Sequence, residues 1–215
     1  MKLPLPMRRY ALTNKTILET FYSIQGEGLK IGVPSVFIRF PGCNLRCPWC
    51  DTKYSWEEKP KLNFEDINII SNEIVFTGGE PLLNQDLILS FISKHPDLNY
   101  TIETNGTLIP CSELTDLDIF WSVSPKLFLK DWNKNISIFD NYKTVQFKFV
   151  ISDLSDLNKL KGLSLRHPIL VQPNGQTEDY SKACRELAEC VLNNKLNFRV
   201  LPQFHKICWQ DRRNI

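Results

Sequence analysis

The chain has 215 residues, 42% of them hydrophobic and 23% charged, with a formal net charge of +2. This is enough apolar material for one sizeable core, so a single domain over residues 1–215 is the expectation. The near-neutral balance, without a long run of either sign, excludes any electrostatic demand for nucleic acid or an anionic membrane surface.

In chain order, "MKLPLPMRRY" places Arg8 and Arg9, together with two prolines, where a secretory signal would need its apolar stretch. Both arginines are expected on a solvated surface. No later segment reaches the roughly 20 apolar residues of a membrane span. The expectation is a cytoplasmic protein with reduced thiols, and an odd count of seven cysteines argues further against a disulfide framework. Strands are predicted at "PSVFIRF" (34–40), "NEIVFTGG" (72–79), "NYTIETNG" (99–106), "LDIFWSVSP" (117–125), "VQFKFVIS" (145–152), "HPILVQPNG" (167–175) and "FRVLPQ" (198–203). Between them, Asn84 is a candidate cap for a helix burying Leu87, Ile88, Phe91 and Ile92. Thr177 is a candidate cap for a longer helix burying Tyr180, Ala183, Cys184, Leu187 and Val191, with Glu178 and Asp179 suited to its first turn. The stretch "EEKPKLNFED" (57–66) reads as the most polar loop, and no repeat or linker divides the chain.

Alternation of strand and helix predicts an α/β fold with a mostly parallel sheet, in a chain shorter than the roughly 250 residues of a closed eight-unit barrel. The fold class is therefore an open, partial (β/α) TIM-like barrel with some helices shortened or missing. "TGGEP", "ETNG", "SPK" and "QPNG" all fall at carboxyl ends of predicted strands, the edge where such folds place ligands. On the strand 34–40, Val36, Ile38 and Phe40 share one face while Phe37 and Arg39 share the other. An inward Arg39 is costly unless a polar or anionic ligand satisfies it.

"PGCNLRCPWCDT" (41–52) sets Cys43, Cys47 and Cys50 in a C-x3-C-x2-C spacing, suited to wrapping a metal centre. Two readings stand on spacing alone. A zinc-stabilised binding module needs a fourth ligand from Cys111, Cys184, Cys190, Cys208 or from His95, His167 or His205, whereas a four-iron cluster held by three thiolates leaves one iron open. The remaining four cysteines read as small buried hydrophobes, and His205 is a weak polar candidate.

With Trp49 just before the third cysteine, and with "TGGEP" and "ETNG", the chain resembles the radical S-adenosylmethionine superfamily from about residue 16 to the last strand. "ETFYSIQGEG" (19–28) and "CDTKYSW" (50–56) narrow the resemblance to the 7-carboxy-7-deazaguanine synthase family. The resemblance implies the radical S-adenosylmethionine type of barrel, with Cys43, Cys47 and Cys50 on a [4Fe-4S] cluster and S-adenosylmethionine on its open iron. The implied reaction is radical ring contraction of 6-carboxy-5,6,7,8-tetrahydropterin with loss of ammonia, in queuosine or deazapurine biosynthesis. It further implies substrate contacts at Ile24, Gln25, Gly26, Arg39 and Thr77. Cofactor contacts are implied at Gly79, Glu103, Ser124, Pro125, Lys126, Gln172, Pro173, Asn174 and Gly175, and a Thr52 hydroxyl on Mg²⁺. A homodimer and a flavodoxin- or ferredoxin-like electron donor complete the expectation. The alternative enzyme is another small member such as a glycyl-radical activase, which would not need "SIQGEG" or Thr52. At its end this chain departs from members that finish in a short tail near the substrate; "HKICWQDRRNI" makes Trp209 and Arg212 candidates to close the site.

Overall fold

The structure is a computed structural model and describes residues 16–210 and 212–213; Arg8 and Arg9 lie outside the described residues. Its main sheet runs in the order β10 (Arg199–Val200), β9 (Ile169–Pro173), β8 (Val145–Ile151), β7 (Ile119–Val123), β6 (Asn99–Thr104), β5 (Glu73–Gly78), β3 (Pro34–Phe40), β2 (Glu19–Ile24). Every neighbouring pair is parallel except β2 with β3, whose register sets Glu19 opposite Arg39 and Ile24 opposite Pro34. A small antiparallel ribbon pairs β1 (Thr16–Ile17) with β4 (Leu62–Asn63).

The predicted strands are therefore present, the last shortened to two residues, and β2 is an addition. The stretch 57–66 is less loop-like than its composition: it carries β4, and Phe64 is buried against Phe40 and Phe91. Helices are unequal. α1 (Gln85–Lys94) and α5 (Tyr180–Asn193) run to 10 and 14 residues, while α2 (Ser112–Thr115), α3 (Ile136–Phe139) and α4 (Leu157–Leu160) are single turns. α6 (Phe204–Trp209) follows β10.

Two helix starts differ from expectation. Asn84 makes no side-chain cap; the chain enters α1 through a 3-10 turn whose start is capped by Glu80, which accepts from Leu82 N. At α5 the cap is Asp179, accepting from Lys182 N, because the chain turns at Asn174–Thr177 before the helix begins. The α1 face is as expected, with Leu87, Ile88, Phe91 and Ile92 all buried. On α5, Leu187 and Val191 are buried but Tyr180, Ala183 and Cys184 only partly so.

The apolar core lies outside the sheet, where Ile38, Phe76, Ile102, Trp121 and Phe147 meet α1, α3, α4 and α5. Each fully buried side chain of this kind contributes about 1.5–3 kcal/mol. Strand alternation turns the next residues to the other face, which is polar: Thr101, Ser122, Gln146, Lys148 and Gln172 are all buried there. That face is concave. In a flat sheet β2 and β8 would stand about 24 Å apart, five spacings of about 4.8 Å, yet Leu29 N, from the loop after β2, donates to Gln146 Oε1 on β8 at 2.7 Å. No strand pairing joins β10 to β2; instead Phe204 N at the start of α6 donates to Gly26 O at 2.7 Å. The result is an open barrel whose gap is crossed by α6 and the 25–30 loop.

Candidate active site

The barrel interior is a cavity of about 360 Å³. All the sequence-predicted site residues line it except Pro125 and Pro173, which are buried behind its wall. On one rim is the cysteine loop. Arg46 braces it by donating to Cys43 O and Leu45 O and lying over the Trp56 ring, while Trp49 packs edge-on against Phe128. Asn44 and Asn105 join the loop to the end of β6, Asn105 Nδ2 donating to Asn44 Oδ1 at 2.9 Å.

The end of β5 presses against the same loop. Gly79 N donates to Phe40 O and Glu80 N to Gly42 O, so close that a Cβ on Gly79 would stand 1.6 Å from Gly42 O. Gly78 adds a positive φ of 130°. Only glycines fit this "GG" turn. Glu80 then fixes the turn to β6: its buried carboxyl accepts from Leu82 N, Thr104 Oγ1 and Asn105 N. Burial pushes this carboxyl up despite those donors.

Cys43, Cys47 and Cys50 all open onto the cavity. Burial pushes the Cys43 and Cys47 thiols up, and each also feels the charge of Cys50. Among the described residues no three His, Cys, Asp or Glu side chains converge on the position of a single ion. Nor do the other histidines approach: His95 packs on Phe91 and His167 bonds Tyr142 O. The four remaining cysteines stand apart from the cavity; contrary to expectation none is buried, and Cys208 is exposed. Three thiols around one rim, each able to take a separate iron, fit a cluster better than tetrahedral zinc. Thr52 Oγ1 lies 3.6 Å from Cys50 Sγ on the same rim.

Arg39 points inward as expected, but its charge is already met. Its Nε donates to Glu19 Oε1 at 2.6 Å, with both side chains largely buried, and Glu19 also accepts from Tyr54 Oη and Arg213 Nε. The expectation that only a ligand would satisfy Arg39 is thus corrected: residue 19 sits directly opposite residue 39 in the β2–β3 register. Arg213 bridges Glu19 and Glu58 and stacks on Tyr54, so the tail does reach the cavity, where Trp209 and Arg212 also line it.

The same cavity has a polar floor. Lys148 on β8 donates to Glu27 and, at 2.9 Å, to Glu103 Oε2; Gln25 Nε2 donates to Glu103 Oε1 at 3.1 Å; Gln203 donates to Glu27. Burial alone would push the Glu27 carboxyl up, but Lys148, His205 and Gln203 together draw it down to about 2. Burial would likewise lower the Lys148 ammonium, yet Glu103 and Glu27 hold it above its ordinary value. His205 packs on Gly26, where a Cβ would stand 2.2 Å from Nδ1. Near the cysteines, Lys126 Nζ donates to Ser124 Oγ at 2.8 Å. Glu27, Lys148, Gln203, Tyr54 and Arg213 were missed from sequence. Lys148 had a signal, a lone cation in an apolar strand, and Glu27 lies inside the quoted "SIQGEG".

Comparison with known proteins places this geometry. The family model described as the Radical SAM superfamily matches residues 37–124. The 7-carboxy-7-deazaguanine synthase of Pyrobaculum aerophilum is 31% identical over 214 residues, covering 92% of this chain and 96% of that protein. The chain belongs to the 7-carboxy-7-deazaguanine synthase family. The family's Thermoplasma acidophilum member is 34% identical, covering 91% of this chain and 97% of its own. The crystal structure of QueE from Escherichia coli superposes with a TM-score of 0.62 at 26% identity, covering 89% of this chain and 94% of that one. The chain is accordingly a radical S-adenosylmethionine lyase of this family, and both the activase and the zinc module are set aside. The superfamily brings with it S-adenosylmethionine and a [4Fe-4S] cluster, and the three-thiol rim beside a side-chain-free glycine turn fits them.

Proposed function

We propose that this chain converts 6-carboxy-5,6,7,8-tetrahydropterin to 7-carboxy-7-deazaguanine with loss of ammonia, in queuosine or a related deazapurine pathway. The reading is carried by one observation: a single cavity is lined both by three thiols and by a hydrogen-bonded acid–lysine floor. Cys43, Cys47 and Cys50 would hold the cluster. Gly79, Ser124, Lys126, Gln172, Asn174 and Gly175, with Pro125 and Pro173 shaping the strand ends behind them, would hold S-adenosylmethionine, and Thr52 would offer its hydroxyl to Mg²⁺. When bound, the cluster and S-adenosylmethionine supply a carbon radical able to remove a hydrogen atom from the pterin.

The protein's own work is placement and exclusion of water. Ile24, Gln25, Gly26 and Thr77 line the substrate side, and Glu103, in the floor, lies one residue before the end of β6. Arg39, with Glu19 against its Nε, keeps other guanidinium donors for a carboxylate. Trp209 and Arg212 line the cavity and would close its mouth. Asn44, Arg46 and Pro48 are exposed on the cysteine loop, which supports electron entry there from a flavodoxin- or ferredoxin-like donor. Among the described residues β2 is an edge strand, and with Tyr22 49% exposed this supports a homodimer. No helix among the described residues is long and apolar enough to cross a membrane, and we place the enzyme in the cytoplasm.

The deciding experiment incubates anaerobically reconstituted protein with the carboxytetrahydropterin, S-adenosylmethionine and a reductant, and follows products by mass. 7-Carboxy-7-deazaguanine and ammonia are expected. Cleavage of S-adenosylmethionine without either product would overturn the reading.

A further inference from the structure

Lys148 is a lysine buried deep in the barrel, 4% exposed, and nothing in the proposed reaction uses its proton. It stands between Glu27, from the loop after β2, and Glu103, near the end of β6, and makes an ion pair with each. Two carboxyl groups share this one ammonium. Around it, His205 and Gln203 from α6 and its approach face Glu27, Tyr180 from α5 lies within electrostatic reach of Glu27, and Gln25 binds Glu103. Gln203 lines the cavity and its buried Oε1 finds no partner among the described residues. The floor is therefore rich in acceptors and short of donors.

We propose that Lys148 is a positioning residue that holds Glu27 and Glu103 as two separate carboxylate acceptors, so that the floor takes the N–H-rich amino-pyrimidine edge of the pterin. This rests on the reading given above. The edge offers an amino group and a ring N–H, and such donors pair best with ionised acceptors. Without the ammonium, two carboxylates sharing one buried site would hold a proton between them. An acceptor would become a donor facing a donor.

The test measures equilibrium binding of 6-carboxypterin, which carries the same edge and does not react, to reconstituted protein with S-adenosylmethionine present. Wild type and Lys148→Met are compared at each pH, so that ionisation of the free probe cancels in the ratio of affinities. Lys148→Met is expected to bind roughly tenfold to hundredfold more weakly at about pH 6, with the ratio shrinking towards about pH 8 as the shared proton leaves. Lys148→Arg should restore the wild-type profile. A ratio of one throughout, or a loss independent of pH that Lys148→Arg does not restore, would show a space-filling role and overturn the proposal.

Should Lys148→Met fail to fold, Glu27→Gln decides. It keeps the ammonium and removes one acceptor charge, and should weaken binding about tenfold without the pH dependence; unchanged affinity overturns the proposal. The two readings also fail differently. Tight, Lys148-dependent binding without deazaguanine product would sink the reaction alone, whereas product formation with an unaffected Lys148→Met would sink only the role of Lys148.

Discussion

The cysteine rim and the acid–lysine floor face one cavity but are assembled over very different distances along the chain. Cys43, Cys47 and Cys50 lie within eight consecutive positions. On the floor, Lys148 is 121 residues from Glu27 and 45 from Glu103, and Gln203 is 176 from Glu27. The rim is a local device: a loop braced by Arg46 and clasped by the glycine turn keeps its spacing wherever the fold carries it. The floor exists only once β6, β8, α6 and the loop after β2 have closed the barrel. Damage to the rim should therefore remove chemistry and leave the floor standing, while damage to the floor should reach recognition first.

The strongest separation comes from Cys47→Ala. The two remaining thiols cannot hold a cluster that needs three, so iron loading and S-adenosylmethionine cleavage should both be abolished, as read by iron analysis, visible absorption and product assay. The far-UV circular dichroism should not change, because Cys47 contributes to no strand or helix. Retained cleavage would break the cluster assignment, and a lost fold would break the independence of rim and floor.

Arg39 sharpens the comparison because it belongs to neither region alone. It sits four residues before Cys43 yet is bonded to Glu19 on β2. Arg39→Ala should keep its iron and lose coupled turnover roughly tenfold to hundredfold, the range of one lost charge-assisted contact. Removing one partner of a buried pair also destabilises, by about 3–5 kcal/mol where nothing compensates. Here Arg213 and Tyr54 still bond Glu19, so the loss of stability, read as a fall in melting temperature, should correspond to less than that. Unchanged turnover and pterin affinity would make Arg39 a structural residue.

The same contrast explains what could be read in advance. Spacing of cysteines, glycine turns at strand ends and apolar periodicity are local, and they located the rim, the strands and the α1 face. The partner of Arg39 was invisible because β2 itself was not read as a strand: its Phe21 and Ser23 line the cavity, so it lacks a clean apolar face. Asn84 and Thr177 were plausible caps by type, but Glu80 and Asp179 occupy the geometry that accepts an N–H. Cys111 and Cys190 pack at the margin of the core rather than inside it, and Cys184 is only partly buried. Lys148 was legible as an oddity in a strand, but its meaning lay in two acids remote in sequence.

The smallest expected effect belongs to Thr52, at the edge of the rim. Its hydroxyl meets Cys50 Sγ at 3.6 Å and shows no bond to its own loop backbone, so it is available to a hard cation that prefers oxygen and keeps its waters. One hydroxyl among several oxygen ligands is a minor share of such a site. Thr52→Ala should therefore keep iron content and lower Mg²⁺-stimulated turnover several-fold, with the half-saturating Mg²⁺ concentration displaced upward. Thr52→Ser, which retains the oxygen and drops only a methyl group, should restore the Mg²⁺ response. Equal Mg²⁺ dependence in wild type and Thr52→Ala would remove the ion from Thr52 and return that hydroxyl to the packing of the cysteine loop.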